Sequence, residues 1–184
     1  MSNTTLLHEL IALSANSSPG TIALSHGGNL ISYGELLDEV TRFSSGLMHL
    51  GIQRGERVAI YLEKRFETVI ASFGTPAAGG VFVPLNPLLK AEQVGYILRD
   101  CNVRVLVTSP ERLALLRETL PACRDLRHIV ILDSAAPLPT IDGLNPCRWR
   151  DLLAAPSMPG HRVIDTDVVS ILYTSGSTGK PKGV

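Results

Sequence analysis

Val58-Ala59-Ile60-Tyr61-Leu62 is a short apolar run that reads as a buried strand, and the next fifty residues repeat the pattern of apolar strand and amphipathic helix. Phe66, Val69, Ile70 and Phe73 open a helix that Pro76 must kink or shorten. Val81-Phe82-Val83 is the next strand, closed by Pro84 and Pro87. Residues 91–100 are helical by their Val94, Ile97 and Leu98 face, 103–108 are a strand, 111–119 a helix and 128–132 a strand. This β-α-β-α rhythm predicts an α/β fold, a mostly parallel sheet with helices packed on its faces.

Working back toward the N-terminus, residues 4–15 read as a helix with Leu6, Leu10 and Leu13 on one face. Residues 21–25 and 30–32 read as short strands around a His26-Gly27-Gly28-Asn29 turn. Ser32 and Glu35 have the spacing of a capping box, and Leu36, Val40, Phe43, Leu47 and Leu50 then form an amphipathic stripe ending near Gly51. Toward the C-terminus, 133–167 is Pro-rich and leaves room for one short helix around Trp149–Leu153. It reads as a long irregular connection outside the sheet. Residues 168–174 return as an apolar strand.

Lys and Arg total 17 against 17 Asp and Glu, and 45% of the 184 residues are hydrophobic. That excludes a disordered tail and gives no electrostatic reason to expect nucleic acid or an anionic membrane as partner. The most apolar region, 68–89, is interrupted by Gly and Pro, so no transmembrane segment is expected. Cys101, Cys123 and Cys147 form no CxxC, which indicates neither a zinc site nor a redox motif. With no basic leader at the N-terminus, the expected location is cytoplasmic.

Residues 174–183 read Thr-Ser-Gly-Ser-Thr-Gly-Lys-Pro-Lys-Gly. Glycines let a backbone present several N–H groups to one point, hydroxyls add donors, and lysines add positive charge. An oligophosphate needs that combination. The order is not a Walker loop, because two residues separate Gly176 from Gly179 and Pro181 follows Lys180. A flexible Gly/Ser linker is the competing reading, although linkers rarely carry two lysines around a proline directly after a buried strand.

The run Leu172-Tyr173-Thr174-Ser175-Gly176-Ser177-Thr178-Gly179-Lys180-Pro181-Lys182-Gly183-Val184 resembles the phosphate-loop signature of the adenylate-forming superfamily. That superfamily holds acyl-CoA synthetases, peptide-synthetase adenylation domains and luciferases. Leu30-Ile31-Ser32-Tyr33-Gly34-Glu35-Leu36 resembles its early strand-to-helix motif. Ala77-Ala78-Gly79-Gly80-Val81-Phe82-Val83-Pro84-Leu85-Asn86-Pro87 resembles its glycine-then-strand motif. The wording around 64–87 is similar to acyl-CoA ligases associated with bacterial exosortase loci.

The resemblance implies the N-terminal part of the large domain of an enzyme with a two-step reaction. ATP and a small-molecule carboxylic acid give an acyl-adenylate and pyrophosphate, and a thiol, CoA or that of a carrier protein, then takes the acyl group. Thr174, Ser175, Gly176, Ser177, Thr178, Gly179, Lys180 and Lys182 are the implied ATP-binding residues. Lys182 stands at the phosphate-contacting position, and Lys180 has a weaker, purely electrostatic role. The implied loop joins two strands, so no helix dipole assists it. Mg²⁺ would bridge phosphate oxygens, but no family metal ligand or catalytic residue matches between 1 and 184. The expectation is a domain portion spanning 1–184, with no complete active site and inactive alone. The alternatives are an adenylation domain of a peptide synthetase and a non-catalytic nucleotide-binding module.

Other candidates read as structural. His8, His26, His49, His128 and His161 show no pair at metal spacing. The Glu63-Lys64-Arg65-Phe66-Glu67 cluster reads as a solvated helix start, Tyr33 and Trp149 as packed rings, and Gly79-Gly80 as a helix stop.

Overall fold

The computed structural model describes residues 6–174 and 181–184. It opens with helix α1 (Glu9–Ser17) and a hairpin of β1 (Ile22–His26) and β2 (Asn29–Ser32). The two-residue turn of that hairpin needs left-handed backbone, which Gly27 and Gly28 supply at φ 58° and 81°. Ser32 caps α2 (Tyr33–His49). Its hydroxyl accepts from the Glu35 amide, while the Glu35 carboxylate accepts from the Ser32 amide at 2.8 Å. The stripe Leu36, Val40, Phe43 and Leu47 is buried as its spacing predicts, with Leu50 half-buried at the end.

Then come β3 (Arg57–Tyr61), α3 (Phe66–Ala77), β4 (Val81–Pro84), α4 (Ala91–Asp100), β5 (Val103–Thr108) and α5 (Pro110–Leu116). β6 (His128–Ile131), β7 (Asn145–Arg148), α6 (Trp149–Leu153), β8 (Tyr173–Thr174) and β9 (Lys182–Gly183) complete the order. Strands β3 to β7 make one sheet in the order β4-β3-β5-β6-β7, every pair parallel. The two-residue side-chain period splits its faces. Val58 and Ile60 of β3, with Val105, Val107 and Val130, face α2, α3 and α6. Ala59 and Tyr61, with Leu106, Ile129 and Ile131, face α4 and α5. Both faces are dry, as parallel sheets require.

Four expectations are corrected. The first helix begins at Glu9, with residues 4 and 5 outside the described residues, and it buries Ile11 and Ala15, leaving Leu10 49% exposed. Apolar residues lie on two faces of α1, and Ile11 is the one that joins the buried cluster of α2. The helix expected over 111–119 ends at Leu116 and gives way to a 3-10 turn at Leu120–Ala122, since Pro121 lacks the N–H an α-ladder would need. The 133–167 stretch is not wholly outside the sheet. It supplies β7, in which Pro146 is tolerated because the strand lies at the sheet's edge. Residues 168–174 are not one continuous strand, but a parallel bridge from Ser170 to Phe82 followed by β8.

Candidate functional site

The segment leading to the glycine-rich motif is held along the outer edge of β4. The Phe82 amide donates to Val169 O at 3.1 Å, and the Ile171 amide donates to Phe82 O at 3.1 Å. The chain then enters an antiparallel ribbon of β8 and β9, in which Tyr173 opposes Gly183 and Thr174 opposes Lys182. Outside these pairs, Leu172 and Val184 exchange both backbone hydrogen bonds, at 2.9 and 2.8 Å.

Directly opposed residues in an antiparallel pair share a face. Thr174 and Lys182 therefore stand side by side, and both are exposed. Tyr173 and Gly183 take the opposite face. Ile171 and Tyr173 pack against the core between the sheet and α4. The Tyr173 hydroxyl donates to Asp100 Oδ2 at 2.6 Å, at the last residue of α4. Burial, reinforced by this bond to a carboxylate, pushes the Tyr173 phenol well above its ordinary pKa, so it stays a donor. A side chain at Gly183 would start 2.9 Å from Ile171 Cγ2 and 3.3 Å from the Tyr173 ring, a close approach that only glycine allows without movement.

Of the eight residues expected to bind phosphate, Thr174 and Lys182 are thus neighbours across the ribbon. Ser175, Gly176, Ser177, Thr178, Gly179 and Lys180 lie outside the described residues. Sequence reading missed Tyr173, Asp100 and Gly183 as supports of the ribbon. The alternation of Ile171 and Tyr173 was a usable signal for an inward face, whereas nothing local pointed to Asp100.

The charged cluster at the end of β3 is partly taken up by internal pairs, with Glu63 and Lys64 still exposed. Glu63 pairs with Arg112, Arg65 with Glu67 at 2.8 Å, and the Arg112 guanidinium lies 4.8 Å over the Tyr61 ring. The Arg112 hydrogen bond holds the Glu63 carboxyl below the usual range. His161 Nε2 meets Ile52 O at 2.8 Å, and Trp149 packs on Phe43 at 5.0 Å, while Tyr33 is half-buried. Burial pushes the Cys147 thiol up to about 11, which makes it a poor nucleophile. Among the described residues, no three His, Cys, Asp or Glu side chains could together hold a metal ion. No helix of the described residues is long and apolar enough to cross a membrane.

A parallel α/β sheet whose glycine-, hydroxyl- and lysine-rich segment runs from strand to strand is not a Walker-type protein, in which that segment opens a helix. Its class is that of α/β proteins in which such a segment links two strands. The profile of the AMP-binding enzyme family matches residues 11–184, and the chain belongs to that family.

It is 33% identical over 155 residues to the crotonobetaine/carnitine–CoA ligase of Salmonella paratyphi B, covering 83% of this chain and 30% of that protein. It is 33% identical over 181 residues to tyrocidine synthase 3 of Brevibacillus parabrevis, covering 97% of this chain and 2% of that protein. Among solved structures, the anthranilate CoA ligase AuaEII in complex with anthranoyl-AMP superposes with a TM-score of 0.86 at 27% identity, over 96% of this chain and 33% of that one. The chain thus spans a third or less of these relatives.

Proposed function

We propose that this chain belongs to an ATP-dependent ligase that activates a carboxylic acid as its acyl-adenylate and passes the acyl group to the thiol of CoA. The observation that carries the reading is the ribbon, which pairs Lys182 with Thr174 on one exposed face at the two ends of a segment rich in N–H and hydroxyl donors. Lys182 donates a charge-assisted hydrogen bond to the β- and γ-phosphate oxygens and neutralises charge on the departing pyrophosphate. Thr174, Ser175, Ser177 and Thr178 hydroxyls and the amides of Gly176 and Gly179 add donors, and Lys180 adds a screened charge. The ribbon's role is to fix where these groups begin and end.

Mg²⁺ supplies phosphate neutralisation in such chemistry. The described residues offer no converging set of ligands for it, so no step here runs through it. The AMP-bearing ligand of AuaEII and the CoA ligases among the relatives support adenylation and a CoA acceptor. The equal identity to tyrocidine synthase 3 supports a second reading, an adenylation domain that loads a carrier-protein thiol.

The test is carboxylate-dependent ATP–pyrophosphate exchange by the full-length protein, then acyl transfer to CoA or to a carrier protein. Exchange with CoA acylation is expected. Exchange with carrier loading alone selects the second reading. Nucleotide binding without exchange for any carboxylate selects a non-catalytic module. We further propose that residues 1–184 alone do not catalyse exchange, since adenylation needs both reactants held in near-attack geometry. Exchange above a heat-killed control with those residues alone overturns this.

A further inference from the structure

We infer that Tyr173 and Asp100 form a latch that sets the position of Lys182, an inference that rests on the proposed adenylation activity. The ribbon is only two residues per strand with one further bonded pair, and isolated two-stranded ribbons are marginal even when longer. Its upstream arm is tied to β4 through Val169 and Ile171. Its downstream arm carries Lys182, and the described interactions of that arm run through the upstream one. They are the backbone bonds of the ribbon and the contact of Gly183 with Ile171 and the Tyr173 ring.

Where Tyr173 sits therefore decides where Lys182 sits. Tyr173 is in turn fixed by its hydroxyl on Asp100, the last residue of a helix anchored by buried Val94, Ile97 and Leu98. Because Tyr173 and Lys182 occupy opposite faces, the phenol touches the protein and the ammonium faces outward. Tyr173 is a positioning residue, acting through the strand it clamps. A purely packing role would need the ring alone, so Tyr173→Phe separates the two.

In the full-length protein, Tyr173→Phe and Asp100→Ala should each lower kcat/KM for ATP in pyrophosphate exchange about 3- to 10-fold, mostly through KM. Thioester formation from supplied acyl-adenylate should stay unchanged. Asp100→Asn keeps an acceptor and should remain within about twofold of the parent, and the double variant Tyr173→Phe/Asp100→Ala should lose no more than either single one. Unchanged exchange in Tyr173→Phe, equal losses in both half-reactions, or multiplied losses in the double variant overturn the latch.

A second measurement needs no turnover. Hydrogen exchange at the Leu172 and Val184 amides should quicken about 3- to 10-fold in Tyr173→Phe and Asp100→Ala, and recover in Asp100→Asn. Unchanged amide exchange in Tyr173→Phe also overturns the latch. A parent protein without pyrophosphate exchange would sink the adenylation reading, yet amide exchange would still test the latch.

Discussion

The five-stranded sheet and the β8–β9 ribbon achieve order in opposite ways. In the sheet, Val58, Ala59, Val105, Leu106 and Val107 are almost wholly buried, and helices cover both faces. Each residue is held by many neighbours, so no single hydrogen bond decides the arrangement. In the ribbon, Thr174, Lys182 and Gly183 are exposed, and order depends on a few named bonds to β4 and Asp100. The contrast teaches a division of labour. The sheet fixes an edge in space, and the ribbon carries Thr174 and Lys182 there side by side without burying them.

The contrast is tested most severely in the core. Phe43 is fully buried against Trp149 and Gly74, so Phe43→Ala should cost about 3–5 kcal/mol of stability, read as a shift in the urea midpoint. A cost below about 1 kcal/mol would mean that the layer between α2 and the sheet is not the scaffold.

Lys182→Ala should do the reverse. Stability should stay within about 0.5 kcal/mol, while kcat/KM for ATP in the adenylation half-reaction falls about 10- to 150-fold. Transfer from preformed acyl-adenylate should barely change, and Lys180→Ala should lose much less. Equal, negligible losses from both substitutions would remove the phosphate-binding role.

Ser32→Ala sharpens the scaffold side by breaking the capping box of α2, which packs on the sheet face opposite the one that holds Tyr173. It should cost about 1 kcal/mol in urea unfolding and leave the KM for ATP unchanged. A change in that KM would show that scaffold and ribbon are energetically coupled.

The smallest effect concerns the segment that feeds the ribbon. Arg54 donates to both carboxylate oxygens of Asp167 and holds its pKa below the usual value. A depressed folded pKa means that the contribution is complete above the unfolded value of about 3.9 and fades as pH falls through the lower, folded one. Protection of the 164–167 amides, taken relative to their intrinsic exchange rate at each pH, should therefore fall below about pH 4 before that of the sheet, and Asp167→Asn should abolish that loss of protection.

Legibility from sequence followed the same division. Strands β3, β4, β5 and β6 were readable because burial on both faces demands short apolar runs, and α4 because Val94, Ile97 and Leu98 recur at helical spacing. β7 was not readable. Asn145-Pro146-Cys147-Arg148 has no apolar run, and it is a strand only because β6 offers a free edge to pair with. At the site, composition and motif order singled out 174–183. Composition is silent on pairing, so the opposition of Thr174 to Lys182 had to come from the structure. Asp100 was out of reach because 73 residues separate it from Tyr173, a distance over which no local periodicity operates.

Pro146 carries a consequence for how this molecule meets copies of itself. The Asn145 amide donates inward to Arg127 O at 2.9 Å, so with a period of two the next position turns its backbone toward solvent. There the chain presents a ring nitrogen without hydrogen, and an incoming strand finds a donor missing from the row it would need. At the opposite margin, residues 169 and 171 already occupy the backbone of Phe82. Among the described residues, one border of the sheet is thus taken up at Phe82 by the protein's own chain and the other lacks a donor at Pro146, so neither presents an uninterrupted row of backbone groups to an added strand.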